Sequence, residues 1–184
     1  MPTWAWVIIA IVAAIIIIAA VWSALRARRT RNLKQRFGPE YDRVTADTDS
    51  RRHAEAELAD RQERREQLDI RALDPDRRAH FTRQWQDMQA EFVDDPGGSV
   101  AGADRIIRAV MRERGYPVDD FETRSADLSV DHPDVVENYR TAHGIADRHT
   151  TGDADTEDLR RAIQHYRLLF TELVESPAGQ EVRT

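Results

Sequence analysis

The chain has 184 residues, a formal net charge of −6 and no cysteine. The lack of cysteine excludes disulfides, thiolate catalysis and cysteine-ligated zinc, and the length suits one domain with a hydrophobic core. Charge is unevenly divided, because residues 1–36 hold six of the 27 basic side chains and none of the 33 acidic ones. Residues 37–184 therefore carry a net charge of −12, which argues against nucleic acid as a partner.

The N-terminal segment, 1–25, is predicted to be a transmembrane helix. No charged residue occurs between Trp4 and Leu25, and about 20 apolar helical residues cover the roughly 30 Å hydrocarbon core of a bilayer. An alternative is that the segment acts as a cleaved signal and the protein is exported. The uncharged start, the long apolar run and the missing small-residue cleavage site favour an uncleaved anchor. Tryptophan rings prefer the headgroup region, which predicts three membrane-interface anchors: Trp4, Trp6 and Trp22.

The juxtamembrane segment, 26–36, is purely basic and sets the predicted orientation. By the positive-inside rule, the N-terminus lies outside and the C-terminal domain lies in the cytoplasm, as in a single-pass protein of the cell membrane. The same charges could also form a patch that attracts anionic lipid headgroups, or they could only fix the topology. The six side chains are Arg26, Arg28, Arg29, Arg31, Lys34 and Arg36.

The next segment, 37–73, is predicted to be a polar linker that includes a stalk helix. Gly38 and Pro39 mark a break, and proline suits the first turn of a new helix. Residues 49–69 alternate glutamate and arginine at helix-pair spacing and contain few apolar residues. Weak self-association through this helix is an alternative, but Arg61 and Arg65 occupy positions where a coiled coil has leucine.

Residues 74–176 are predicted to form a small helical bundle, followed by a flexible tail at 177–184. Asp74 before Pro75 is a helix start signal. Helices are also expected after Ser99, over one or two turns within 119–128, after the His132–Pro133 pair and after Asp155 or Thr156. No segment alternates with period two, so the predicted fold class is all-α. The first helix of the bundle carries an apolar stripe that is typical of a core face: Phe81, Trp85, Met88 and Phe92.

Candidate chemistry is sparse. The sequence has no phosphate-binding glycine loop, nucleophile elbow or dense histidine metal motif, so we predict no catalytic residue, metal or cofactor. The most distinctive stretch, 131–143, could form a ligand-binding or hydrolytic site if at least two of His132, Tyr139 and His143 converge in a pocket. Otherwise Asp131 caps a helix, Tyr139 packs and Arg140 pairs with an acid. The candidate surface is Asp131, His132, Tyr139, Arg140 and His143.

Five stretches carry a family resemblance: RFGPEYDR (36–43), RRHAEAEL (51–58), RRAHFTRQWQDMQAEFVDDP (77–96), VMRERGYP (110–117) and LSVDHPDVVENYRTAH (128–143). In these the chain resembles an uncharacterised family of small bacterial membrane-anchored proteins, some of them described as secreted. The resemblance implies no activity and no site residue. The expected function is a non-enzymatic, membrane-tethered interaction or scaffold domain that docks a protein partner or self-associates. This function predicts an exposed apolar patch of several hundred Å² on the bundle.

Overall fold

The computed structural model describes residues 3–177, although the side chains of residues 3 and 5–11 lie outside that description. The described chain contains eight α-helices and no strand, which confirms the predicted all-α class. The helices are α1 (Thr3–Phe37), α2 (Pro39–Asp47), α3 (Arg51–Glu66), α4 (Pro75–Glu91), α5 (Pro96–Arg114), α6 (Phe121–Asp131), α7 (Val136–Thr150) and α8 (Thr156–Glu175).

Helix α1 has two unlike halves. Its 35 residues include no glycine or proline, so nothing in the sequence interrupts the helical hydrogen bonds. The large apolar side chains described between Val12 and Leu25 are 49–68% exposed. Leu33 and Phe37, in the last turns, are buried. Among the described residues, no helix combines the length and the apolarity needed to cross a membrane.

A single residue connects α1 to α2. Gly38 adopts φ of +46°, a region that glycine enters without the steric cost of a Cβ. Pro39 follows in the first turn of α2, as the sequence predicts. The chain therefore turns at once, and α2 packs beside the end of α1.

The helices surround two separate cores. The last turns of α1 pack with α2 and α3, and we call this unit the N-terminal lobe. Helices α4–α8 form the C-terminal bundle, in which α8 lies against α5 and α7. Helix α6 serves both units, because Val130 joins the core of the lobe and Leu128 joins that of the bundle. The lobe core is small and consists of Leu33, Phe37, Tyr41, Val44, Ala54, Leu58 and Val130.

The bundle follows the predicted apolar periodicities. Phe81, Trp85 and Met88 of α4 are buried, and the Trp85 ring stacks on Phe170 of α8 with centroids 4.4 Å apart. This confirms that the α4 stripe is core. Helix α8 begins with a capping box in which Asp155 and Asp158 satisfy each other's backbone N–H groups. Its buried face is Leu159, Ala162, Ile163, Tyr166, Leu169, Phe170, Leu173 and Val174.

Two helix starts differ from the sequence prediction. Helix α5 begins at Pro96, because the Asp95 side chain accepts a hydrogen bond from the Gly98 backbone N–H (2.8 Å). The predicted cap, Ser99, instead donates a hydrogen bond to the Met88 carbonyl at 3.3 Å. Helix α6 runs for three turns to Asp131, so this residue ends α6 and does not cap α7, which begins later, at Val136.

The structure also differs from the predicted solvated stalk. Segment 37–73 holds two helices, α2 and α3, and α3 packs against α6. Ala54 and Leu58 are fully buried in the lobe core. Arg61 and Arg65, which looked like interruptions of a coiled-coil stripe, face carboxylates on neighbouring helices. Charge pairing offsets the cost of burying these two guanidinium groups.

Candidate functional site

The five residues of the predicted 131–143 surface belong to different environments. Asp131 and His132 lie in one polar chain between α6 and α8. Tyr139 faces the bundle core, Arg140 points to α2, and His143 stacks on a half-buried aromatic ring. None of the four surface grooves described, at α1–α3, α4–α5 and α4–α8, contains His132, Tyr139 or His143.

Asp131 and His132 are parts of a mostly buried polar chain. The Tyr116 hydroxyl donates to Asp131 Oδ2 at 2.7 Å, and Arg65 of α3 pairs with the same carboxylate. His132 Nδ1 lies 3.0 Å from Glu172 Oε1, and because a carboxylate only accepts, this nitrogen carries the proton. Burial lowers the pKa of His132, although Glu172 partly opposes the shift. The buried imidazole is therefore neutral at pH 7 and helps to join α6 to α8.

Tyr139 sits at the centre of the bundle. Its hydroxyl accepts a hydrogen bond from Arg124 Nε at 2.7 Å and lies 3.4 Å from Asp104 Oδ1. Burial raises the pKa of Tyr139, and the Asp104 charge adds to this shift. Phe121 packs against Tyr139 and stacks on the ring of His143 at 3.7 Å between centroids. Tyr139 is therefore a packed residue, and no substrate-sized space opens beside its hydroxyl among the described pockets.

Arg140 pairs with an acid, as one sequence alternative predicts, but it does so within a carboxylate–arginine cluster that no sequence pattern indicated. Glu40 in the first turn of α2 has a side chain that is only 1% exposed. Arg140 of α7 donates to both of its oxygens, at 2.8 and 2.9 Å. Arg61 of α3 donates to Oε1 at 2.7 Å, and Arg43 of α2 donates to both oxygens, at 2.9 and 3.1 Å. One buried carboxylate thus joins α2, α3 and α7.

The ionised form of Glu40 is strongly favoured. Burial by itself would raise the pKa of the carboxyl group, but hydrogen bonds and charge from Arg43 and Arg140 outweigh it and lower the pKa to about 2. The group therefore stays charged at any pH near neutrality. Because its partners lie 3, 21 and 100 positions away in the sequence, no short motif could have indicated the cluster.

A second carboxylate secures α1 to α3. Glu55 Oε1 accepts hydrogen bonds from the Thr30 hydroxyl (2.9 Å), the Tyr41 hydroxyl (2.9 Å) and Arg51 Nε (3.0 Å). Burial acts to raise the pKa of Glu55, but these hydrogen bonds lower it overall. The contact places the N-terminal end of α3 beside the basic segment of α1.

The six predicted juxtamembrane basic residues have different surroundings. Arg26 lies over the Trp22 ring (5.6 Å) and Lys34 over the Tyr41 ring (5.1 Å), both at cation–π distance. Arg36 is half-buried. Within the described chain, none of the six forms an ion pair. Those whose side chains are exposed are Arg26, Arg28, Arg29, Arg31 and Lys34.

The predicted interface tryptophans are described in part. Trp4 is 65% exposed and Trp22 is 63% exposed. The side chain of Trp6 lies outside the described residues. The two exposed rings are 18 positions apart, which corresponds to about 27 Å along a helix.

The described residues hold no cluster of three or more histidine, cysteine or carboxylate side chains that could bind a metal ion. Comparisons with protein-family models, with curated proteins and with solved structures find no significant match. The protein is therefore described from its fold and its polar clusters alone. It is an all-helical protein in which buried arginine–carboxylate contacts connect a small lobe to a larger bundle. The family resemblance of the five sequence stretches stays a prediction.

Proposed function

We propose that this protein is a membrane-tethered helical scaffold, in which α1 is a single-pass anchor and the two helical units work at the cytoplasmic face without catalysis. One observation carries the proposal. The large apolar side chains described between Val12 and Leu25 of α1 are exposed, while the last turns of the helix are built into the lobe core. Such a helix needs an apolar environment at one end only.

The pattern of exposure favours lipid over a protein partner as that environment. Ile15, Ile16, Ile17 and Ile18 are all 60–68% exposed. Successive helical residues are about 100° apart around the axis, so these four side chains point in different directions. A partner helix or groove would cover one face, whereas acyl chains surround a helix on every side.

The orientation follows from charge, as for other membrane helices. Arg26 and the basic residues after it adjoin the apolar half on the side of the folded units. The positive-inside rule then places the lobe and the bundle in the cytoplasm.

The helical units themselves support a scaffold more than an enzyme. His132 is enclosed in a polar chain, and Tyr139 and His143 pack around Phe121 away from it. On the described part of α4–α8 and its loops, the exposed large apolar side chains are Val93 and Leu168. The apolar docking patch expected from the sequence is not found on that surface, so we propose that partners are recognised through polar and charged contacts.

Membrane extraction and a topology reporter test the anchor together. The full chain should stay in the membrane fraction after alkaline carbonate washing, because an inserted helix resists extraction. A double variant, Ile16→Arg with Ile17→Arg, should be released, since each arginine costs about 2.5–3.5 kcal/mol at the centre of a membrane helix. Leu168→Arg is the matched control and should remain bound.

A reporter that is active only in the cytoplasm, fused after Thr184, should give full signal. Intact-mass measurement of the membrane-bound protein should show the complete N-terminus. An inactive reporter together with loss of the first 25 or so residues would instead establish the export-signal alternative and refute the anchor.

A further inference from the structure

The structure contains an open groove where the basic part of α1 meets the start of α3. The groove encloses about 590 Å³ and combines an apolar end with a cationic wall. We infer that it binds the phosphate headgroup of an anionic phospholipid, an inference that rests on the proposed membrane anchor. Its lining residues are Trp22, Leu25, Arg26, Arg29, Arg52, Glu55 and Ala56.

The geometry matches the order of groups in a phospholipid. Trp22, Arg26 and Arg29 lie four and three positions apart and so share one face of α1. Trp22 and Leu25 continue the exposed apolar half of the helix, where acyl chains would lie. Arg29 is seven residues beyond Trp22, about 10 Å further along the axis. The arginines are therefore at the depth expected for lipid phosphates when Trp22 sits at the interface.

The charges in the groove are available to an external anion. Arg26, Arg29 and Arg52 are exposed, and within the described chain none of them pairs with a carboxylate. Glu55 is the one acid in the lining, but its side chain is 10% exposed and is engaged with Thr30, Tyr41 and Arg51. The groove thus holds three guanidinium groups without an ion-pair partner in the described chain and one carboxylate that is already hydrogen-bonded. A guanidinium group can bind phosphate oxygens in a bidentate geometry.

The position of Arg52 distinguishes a lipid-binding site from basic residues that only fix the membrane topology. The positive-inside rule concerns charges next to the membrane segment in sequence, whereas Arg52 lies 27 positions after Leu25 and reaches the groove only because α3 folds back. The tether of Glu55 to Thr30 holds it there. A cluster that only fixed topology would gain nothing from this placement.

Lipid selectivity in reconstituted membranes tests the inference. The full chain is placed in phosphatidylcholine vesicles that contain spin-labelled phosphatidylglycerol or spin-labelled phosphatidylcholine, and the fraction of immobilised lipid gives the relative association. The wild-type protein should prefer the anionic lipid by tenfold or more. Arg29→Ala and Arg52→Ala should each reduce the preference by about fivefold, because each removes a guanidinium group that hydrogen-bonds the phosphate in the groove.

Arg28→Ala is the matched control. It removes the same charge at almost the same depth but does not line the groove, and it should change the preference by less than twofold. Equal effects of Arg28→Ala and Arg29→Ala, or no effect of Arg52→Ala, would overturn the headgroup site while leaving the anchor intact. Failure of every chain to remain in vesicles after carbonate washing would refute the anchor itself.

A soluble headgroup identifies the source of the phosphate. Glycerol 3-phosphate in millimolar excess should not change the selectivity, because it lacks the chains that contact Trp22 and Leu25. Complete displacement of the labelled lipid by glycerol 3-phosphate would show a site for small phosphates and overturn the lipid assignment. Circular dichroism of each variant should match the wild-type spectrum, since Arg28, Arg29 and Arg52 are exposed and belong to neither core.

Discussion

The N-terminal lobe and the C-terminal bundle are both helical, but they are stabilised by different means. The bundle has a continuous core of 24 buried apolar residues, whereas the lobe has seven, one of which belongs to α6. In the lobe, hydrogen-bonded and charged side chains accompany this small apolar core. Glu40 and Glu55 each gather three donors within or beside it. A unit of this size cannot bury enough apolar surface to be stable alone, so its stability depends on what it is attached to.

The contact between the two units is largely polar. Arg61, Arg64 and Arg65 of α3 meet Ser129, Asp127 and Asp131 of α6, and Arg140 of α7 reaches Glu40. Burial raises the pKa of Asp127 despite the nearby Arg64 charge. Pairs of this kind add little net stability, but removal of one partner leaves a buried charge unmatched. The lobe should therefore separate from the bundle before the bundle unfolds.

The largest effect is expected from the bundle core. Leu169→Ala removes a fully buried side chain of α8 and should lower the free energy of unfolding by about 3–5 kcal/mol. Leu168→Ala, one position away and 53% exposed, should change it by less than about 0.5 kcal/mol. Urea titration of the full chain in a mild detergent, followed by circular dichroism, measures both. Equal losses would show that α8 does not have the buried face described.

A smaller and more local effect is expected at Glu40. Glu40→Gln keeps the shape of the side chain but removes the charge shared by Arg61 and Arg140, and should cost about 2–3 kcal/mol. Hydrogen exchange followed by mass spectrometry should show α2 and α3 losing protection while α8 keeps it. Equal loss of protection in α8 would mean that the two units unfold as one, against the comparison above.

The same variant has a pH signature. The folded pKa of Glu40 is about 2 and its ordinary value is 4.5, so the carboxylate contributes its full stabilisation above about pH 4.5. That contribution falls as the pH drops from 4.5 towards 2, because the unfolded chain binds the proton first. The wild-type lobe should lose stability over this range, and the difference between wild-type and Glu40→Gln should shrink to near zero at its acid end.

The smallest effect compares two buried tyrosines. Tyr41→Phe in the lobe removes the hydroxyl that donates to Glu55 and should cost about 1 kcal/mol. Tyr166 in the bundle has a buried hydroxyl with no hydrogen-bond partner among the described residues, so Tyr166→Phe should be neutral or slightly stabilising. Thermal unfolding of the two variants measures the difference. A costly Tyr166→Phe and a neutral Tyr41→Phe would reverse the assignment of polar stabilisation to the lobe.

The sequence predicts the bundle better than the lobe, for a physical reason. The faces of α4 and α8 repeat every three or four residues, and Asp74 and Asp155 are local capping signals. In the lobe, the residues that connect the helices are charged, and their partners lie far away in the sequence. Arg61 resembles a solvent-exposed residue until Glu40, 21 positions earlier, is placed beside it. The five residues of the candidate surface at 131–143 lie in different environments for the same reason: each contacts partners that are remote in sequence, and these lie on α2, α3, α5, α6 and α8.

Helix α1 also determines the direction in which the bundle faces. It runs without a break from the exposed isoleucines to Leu33 in the lobe core, and each helical residue adds about 100° of rotation and 1.5 Å of rise. One residue inserted between Arg28 and Arg29 would swing the bundle about 100° around the axis of α1, whereas seven would restore its bearing to within about 20°. The number of residues in α1 thus determines both the rotation of the bundle around the helix axis and its distance from the exposed isoleucines.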